Sequence, residues 1–325
     1  MAGREVRVSN PNKVLFPKAG HTKMDVVQYF LDVGEAVVNG ARDRPTVMRR
    51  FPDGIRGEAF YQKRVPKARP EWLQTARITF PSGREADELV MADVAHLIWM
   101  ANLASLELHP WPVRKSDVDH PDELRIDLDP TPRIPFASVR KVALVCRDLL
   151  EELGFRGFPK TSGKRGIHIL VRIEPRWEFP DVRRAALAFA REVERRTDLA
   201  TTAWWKEERR GVFVDYNQNA RDRTVASAYS IRPVEDARVS FPIRWDEVED
   251  VDPKSFRLDT APKLVDERGD ALQGIDDQAG SLGTLLEWSE RDEAEGVEDA
   301  PWPVHHPKMP GEPTRVAPSR ARKGR

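Results

Sequence analysis

Apolar residues recur at Met24, Val27, Phe30, Leu31 and Val38, the spacing of one helix face, and Thr22 with Asp25 three positions on resembles a capping box. The pattern predicts a helix over about 23–38. Similar periodicity predicts helices over about 92–106 and 181–197. Another starts from an N-cap at Ser138, runs through Val142, Val145, Leu149 and Leu153, and stops at Gly154. Short runs at 46–51, 77–80, 124–129, 167–172, 212–216 and 225–231 alternate in polarity or are rich in β-branched and aromatic residues, and read as strands. They lack the regular helix–strand rhythm of a doubly wound sheet. The expected fold is therefore α+β, with mixed, largely antiparallel sheets flanked by helices. No internal repeat is evident.

Charge changes the picture at the C-terminal end. The chain has 325 residues, enough for one large or two smaller cores, and its 53 Lys+Arg and 53 Asp+Glu cancel. Seven acids (Glu287, Glu290, Asp292, Glu293, Glu295, Glu298, Asp299) nevertheless fall within 287–300, against Arg291 alone, and six bases against one acid within 301–325. Six prolines lie between Pro301 and Pro318. We expect a catalytic domain over 1–300 with an acidic end, then a disordered, basic, Pro-rich tail over 301–325. No apolar run approaches a bilayer span, and the segment MAGREVRVSN has no apolar signal core, so no membrane association and a cytoplasmic location are expected. A single cysteine, Cys146, excludes an internal disulfide and a multi-cysteine zinc site.

Three segments carry candidate chemistry. In Leu124-Arg125-Ile126-Asp127-Leu128-Asp129-Pro130, strand alternation sends Leu124, Ile126 and Leu128 to the core and puts Asp127 and Asp129 together on the opposite face, with Cα atoms roughly 6.6 Å apart. A second apolar strand, Val212-Phe213-Val214, ends in Asp215. Three carboxylates at two strand ends suit two hard divalent ions, Mg²⁺ or Mn²⁺, and the reactions such pairs promote are nucleotidyl transfer or phosphodiester hydrolysis. In Thr161-Ser162-Gly163-Lys164-Arg165-Gly166-Ile167-His168, glycines flank a basic pair, so backbone N–H groups and Lys164 or Arg165 can meet phosphates. The spacing is not that of a Walker A loop. His168 faces the polar side of its strand, as a structural histidine also would.

The ordered motifs SNPNKVLFP, Thr22-Lys23, AFYQKR, LELHPWP, RIDLDP, TSGKRGIH, GVFVDYNQN and TVASAYSIR, spanning about 8–245, resemble the polymerase domain of bacterial ligase D and stand-alone primase-polymerases of the archaeo-eukaryotic primase superfamily. The resemblance implies that Asp127, Asp129 and Asp215 are metal-binding catalytic acids. It implies that Arg49, Phe60, Tyr61, His109, Ser162, Lys164, Arg165, His168 and Arg232 contact the nucleotide, with Phe60 and Tyr61 stacking on a base. It implies that Asn10, Lys13 and Lys23 hold the 5′-phosphate of a DNA gap or break. Lysine is common in the family where Arg49 and Arg165 stand here, and Arg offers a planar fork in place of a compact charge.

The expected activity is template-dependent extension of 3′-hydroxyl ends with NTPs or dNTPs at gaps or breaks, using two Mn²⁺ or Mg²⁺ ions, with primase activity as a further expectation. Expected partners are gapped or broken DNA bearing a 5′-phosphate, a separate DNA ligase and a DNA-end-binding protein. Two other classes stay open on the residues alone. A metal-dependent nuclease would use the same acids without the triphosphate loop. A non-catalytic DNA-end module would keep Lys13 and Lys23 while its acids served structure. Lys13 and Lys23 are otherwise ordinary surface charges, and adjacent Phe60 and Tyr61 would place only one ring in a core.

Overall fold

The computed structural model describes residues 4–80, 82–303 and 315–316. A short ribbon of β1 (Val14–Phe16) and β2 (His21–Thr22) leads into α1 (Lys23–Asp32) through the expected capping box, in which the Thr22 hydroxyl accepts from Asp25 N and the Asp25 carboxylate accepts from Thr22 N. The helix predicted to run unbroken stops at Val33 and resumes as α2 (Gly34–Ala41). The break lies where the chain crosses a later helix: a Cβ on Gly34 would stand 2.9 Å from the Val94 side chain, so close contact requires glycine there.

The N-terminal sheet comprises β3 (Pro45–Arg50), β4 (Phe60–Gln62), β5 (Thr75–Thr79) and β6 (Glu85–Val90), and, after α3 (Val94–Asn102), β7 (Ser105–Pro110). All pairings are antiparallel; β3 pairs with β7 along one edge and with β6 and β4 along the other. The helix expected to reach 106 ends at Asn102, because Ala104 adopts φ +55° and turns the chain into β7.

The second sheet carries the acids. Its members are β8 (Glu123–Pro130), then, after α4 (Phe136–Glu152), β9 (Gly157–Thr161) and β10 (Ile167–Arg172), and, after α5 (Phe179–Arg196), β11 (Ala200–Thr201) and β12 (Val212–Val214). The order is β11-β12-β8-β10-β9, antiparallel except for β11–β12. Helix α4 starts at Phe136, so Ser138 lies inside its first turn and does not cap it, whereas Gly154, at φ +74°, does follow its end. The chain closes with α6 (Ala261–Arg268) and α7 (Gly283–Ala294), the latter packed on α5.

The α+β expectation holds, but the strand predicted over 225–231 does not form. Tyr229 takes φ +61° in a tight turn, and the segment bonds singly to β7, through Ser227 N to Leu108 O and Ile231 N to Leu106 O. Among the described residues no helix is long and apolar enough to cross a membrane.

Helices α4 and α5 cover one face of the second sheet with Val139, Val142, Leu149, Ala185 and Phe189, all buried. The opposite face is joined to the first sheet by charge. Arg44 ion-pairs with Asp122 at 2.6 Å, and Glu123 receives Arg125 at 2.7 Å and Arg172 in a very short contact. Arg125 also donates to Pro110 O at the end of β7, 2.8 Å away. Burial alone would raise Glu123, but Arg44, Arg125 and Arg172 hold it far below the usual carboxylate range.

Arg183 of α5 makes a similar junction: it donates to Asn217 Oδ1 (3.0 Å), pairs with Asp299 (2.9 Å) and lies over the Trp302 ring, 4.3 Å from its centroid. The expected tail of 301–325 falls for the most part outside the described residues; Trp302, at its start, is buried, and Trp302–Pro303 pair in parallel with Arg315–Val316.

Glu88 on β6 is buried in a small satellite core with Trp111, whose Nε1 donates to its Oε2 at 2.8 Å. Desolvation raises its pKa to about 8, against an unfolded value near 4.5. Between those values the folded protein keeps a proton that the unfolded chain releases, so stability falls as pH rises, by up to about 1.4 kcal/mol per pH unit. Glu88→Gln removes this dependence. Urea melts should show the variant gaining stability relative to wild type on going from pH 5 to pH 8.5; an unchanged difference between the two would refute the assignment.

Candidate active site

The three acids converge as their spacing suggests. Asp127 and Asp129 leave β8 on the same face, and Asp215 follows β12, whose residues Phe213 and Val214 pair with Asp129 and Leu128. A backbone hydrogen bond from Asp215 N to Asp127 O, 2.8 Å long, fixes the strand ends. One carboxylate oxygen from each acid lies within 4.8 Å of the others. Asp215 is oriented by Asn217 N and Gln218 Nε2, both 3.0 Å away. Asp127 is buried and its Oδ1 has no hydrogen-bond partner among the described residues, while Asp129 opens to solvent.

Desolvation raises all three; the charges of Asp129 and Asp215 raise Asp127 further, and that of Asp215 raises Asp129. Three mutually repelling carboxylates with an unsatisfied inward oxygen fit the donor set of hard divalent cations.

Across β10, His168 is paired in register with Asp127, and its Nε2 stands 3.3 Å from Asp127 Oδ1. The loop before it is tied by Ser162, whose hydroxyl oxygen accepts from Lys164 N (3.2 Å) and Gly166 N (2.9 Å), leaving its proton free to donate outward. Gly163 has φ +69°, and a Cβ there would overlap Arg232, so the loop and Arg232 are in contact. Arg165 is turned toward Thr131 O and Ile134 O, at 3.4 and 3.2 Å. Burial and the nearby Arg232 lower the Lys164 pKa.

A buried glutamate organises the opposite wall. Glu107 on β7 receives Arg49 at 2.6 Å and Arg232 at 3.0 Å. Burial would raise it, yet His109, Arg232 and Arg49 bring it down to about 2. His109 is buried with neither ring nitrogen hydrogen-bonded among the described residues, its Nε2 3.8 Å from Glu107 Oε2, and its ring meets Tyr61 edge-on at 5.4 Å. Phe60 and Tyr61 differ from expectation: neither enters a core, with 43% and 56% of their surface exposed. β4 is a three-residue strand paired, among the described residues, only with β3, and the rings lie under Arg50 and Arg49, each 5.3 Å from the guanidinium.

A second cluster forms at the N-terminal side. Asn10, at φ +48°, accepts Lys13 N through its carbonyl, and Lys23 N bonds Lys13 O. Lys13 pairs with exposed Asp53 at 2.9 Å, whereas Lys23 is buried and donates to Ser9 O at 2.7 Å. Burial, Lys13 and Arg50 together lower the Lys23 pKa, so these cations share one field. The structure thus links the acids, the loop, Arg232, Glu107, His109, Arg49 and Tyr61 through successive contacts, whereas Phe60 lies on the other face of β4 under Arg50, the cation that Lys13 and Lys23 neighbour.

Sequence reasoning missed Glu107 and Lys160. Glu107 and His109 alternate in Leu106-Glu107-Leu108-His109, a readable sign of one polar strand face. Lys160 becomes significant only through the β9–β10 register, which sets it opposite His168.

The family model for the LigD primase-polymerase domain matches residues 22–272. The multifunctional non-homologous end joining protein LigD of Mycolicibacterium smegmatis is 33% identical over 305 residues, 91% of this chain and 39% of that protein. The bifunctional LigD of Bacillus subtilis is 29% identical over 270 residues, 82% of this chain and 43% of that protein. Among solved structures, the polymerase domain of Mycobacterium tuberculosis Ligase D in complex with DNA superposes with a TM-score of 0.79 at 30% identity, covering 85% of this chain and 99% of that one. The chain belongs to the LigD primase-polymerase domain family. It spans about two fifths of the length of these full-length relatives.

If the acids repel one another without a cation, Asp129→Asn should raise the melting temperature in metal-free buffer by about 2–4 °C, equivalent to about 1 kcal/mol. Millimolar Mn²⁺ should stabilise the wild type and leave the variant unmoved in the same thermal scan. Equal responses to Mn²⁺ would disconnect the acid cluster from cation binding.

Proposed function

We propose that this protein is a template-dependent nucleotidyltransferase that extends 3′-hydroxyl ends of DNA with NTPs or dNTPs at gaps or breaks, as a component of end joining. The observation that carries the reading is the placement of the Asp127, Asp129 and Asp215 carboxylates, within 4.8 Å of one another, beside a Ser162–His168 loop with free donors. Asp127, Asp129 and Asp215 would hold two Mn²⁺ or Mg²⁺ ions. Such ions, when bound, acidify an attacking hydroxyl and offset charge on a triphosphate.

The chain's own groups do the positioning. The Ser162 hydroxyl, Lys164 and the His168 ring point donors at phosphate oxygens, with Arg165 supplying charge at the loop's outer side. Arg232 and Arg49, braced by Glu107, are held as preformed cations on the facing wall, and their planar forks suit phosphate oxygens. His109 lies buried behind them, its Nε2 3.8 Å from Glu107 Oε2. Phe60 and Tyr61 offer exposed faces on which a base stacks, a contact worth about 1–3 kcal/mol and tolerant of sequence. Asn10, Lys13 and Lys23 form a cationic pocket for a downstream 5′-phosphate, which fixes register without reading bases. The tuberculosis domain's complex with DNA supports a nucleic-acid partner here.

A labelled primer facing a short gap, supplied with Mn²⁺ and either NTPs or dNTPs, tests the reading. Extension is expected, stimulated by a downstream 5′-phosphate, and abolished by Asp127→Ala with gapped-DNA binding retained. Lys23→Ala should cut the phosphate-dependent stimulation about tenfold, the loss of one charge-assisted contact. Shortening of the primer in place of extension would favour a nuclease. Tight DNA binding without product in any metal would leave an end-binding module.

A further inference from the structure

We infer that Lys160 is a positioning residue that fixes the neutral ring of His168 in its Nε2–H form and so dictates that a donor faces the cleft. The inference rests on the reading of the cleft as a nucleotide site. Lys160 is fully buried on β9, directly across from His168 in the β9–β10 register. Its ammonium lies 2.8 Å from His168 Nδ1 and 2.6 Å from Ser240 Oγ. Among the described residues no carboxylate comes within ion-pair distance of it. A buried ammonium without a carboxylate partner is costly to retain for packing alone.

The direction of the hydrogen bonds follows from donor chemistry. Burial and Arg232 lower the Lys160 pKa while Asp127 and Glu123 raise it; in its ammonium form Lys160 has three donors and no acceptor, so Nδ1 accepts and the single ring proton sits on Nε2. Ser240 agrees with this polarity: its own proton goes to Thr161 O, 2.8 Å away, which leaves a lone pair for Lys160. A ring protonated on Nδ1 would set an N–H against the ammonium. With Lys160 and Ser240 in place, the ring proton lies on the Nε2 side, which stands 3.3 Å from Asp127 Oδ1 without a hydrogen bond to it and so remains available to phosphate oxygens. Without Lys160 the ring is free to present a lone pair to those oxygens, and a lone pair repels an anion.

The test uses the full chain with ¹⁵N-labelled histidine, at a fixed pH where His168 is neutral. Long-range ¹H–¹⁵N spectra should show Nε2–H as the form of His168 in wild type. In Lys160→Met, similar in size but with no donor, the second tautomer should appear. Lys160→Gln can donate or accept, and should also give a mixture; it carries the test where the methionine variant does not fold. In primer extension, the nucleotide KM of either variant should rise about tenfold, the effect of one lost hydrogen bond to a charged group, with a smaller change in kcat. On a His168→Ala background, Lys160→Met should add nothing, because Lys160 acts through the ring.

An unchanged Nε2–H signal in the folded variants, or additive effects in the double variant, would overturn the inference. A wild type that shows the Nε2–H ring but extends no primer would sink the functional reading and leave the positioning role standing.

Discussion

Mutual repulsion among Asp127, Asp129 and Asp215 is the constraint around which the interior is arranged. The charges of Asp129 and Asp215 raise the pKa of buried Asp127, that of Asp215 raises Asp129, and nothing apolar can relieve that strain. The fold holds them by backbone means: the β8–β12 ladder, the Asp215 N to Asp127 O bond and the Asn217 turn fix positions that the side chains alone would abandon. Fixed cations then face the acids from several elements. Lys160 and Arg232 lower Asp127, and Arg209 and Arg165 lower Asp129. Preorganised charge of this kind needs no rearrangement when a charged ligand arrives.

The same economy explains why the two sheets meet through ion pairs. An apolar seam would be easier to stabilise, yet the cleft must keep a polar floor. Glu123, in the same strand as Asp127 and four residues before it, is saturated by Arg44, Arg125 and Arg172, and Arg125 reaches across to the first sheet through Pro110 O. Breaking such a network by removing one partner leaves an uncompensated buried charge. The arrangement sets the relative position of β7, with Glu107 and His109, and β8, with the acids.

Much of this was legible in the residues. Period-two alternation located β8 and placed both its aspartates on one face, and apolar runs ending in polar turns located β10 and β12. Helices with a long apolar stripe, α4 and α5, were found to within a few residues. What failed depended on tertiary contact or on backbone sign. The break at Val33 answers the approach of Val94, the missing strand at 225–231 follows from a left-handed Tyr229, and β4 and β9 are too short or too mixed in pattern to stand out, whereas β7 carries a readable alternation. Strand alternation allowed only one of Phe60 and Tyr61 into a core, and the exposure of both could not be read from hydrophobicity. Lys160 was illegible for another reason: its meaning lies in a register between two strands, which no local window contains.

Arg183 ties the far end of the described chain to the acid-bearing turn. Its guanidinium shares Asn217, Asp299 and the Trp302 ring, and Asn217 in turn donates its backbone N–H to Asp215. The chain covers 39% of the Mycolicibacterium smegmatis relative and 43% of the Bacillus subtilis one. From Trp302, one cation–π contact and two hydrogen bonds lead through Arg183 and Asn217 to Asp215. A displacement of the backbone at Trp302 would thereby reach the Asp215 turn through the interior of α5 rather than across the surface.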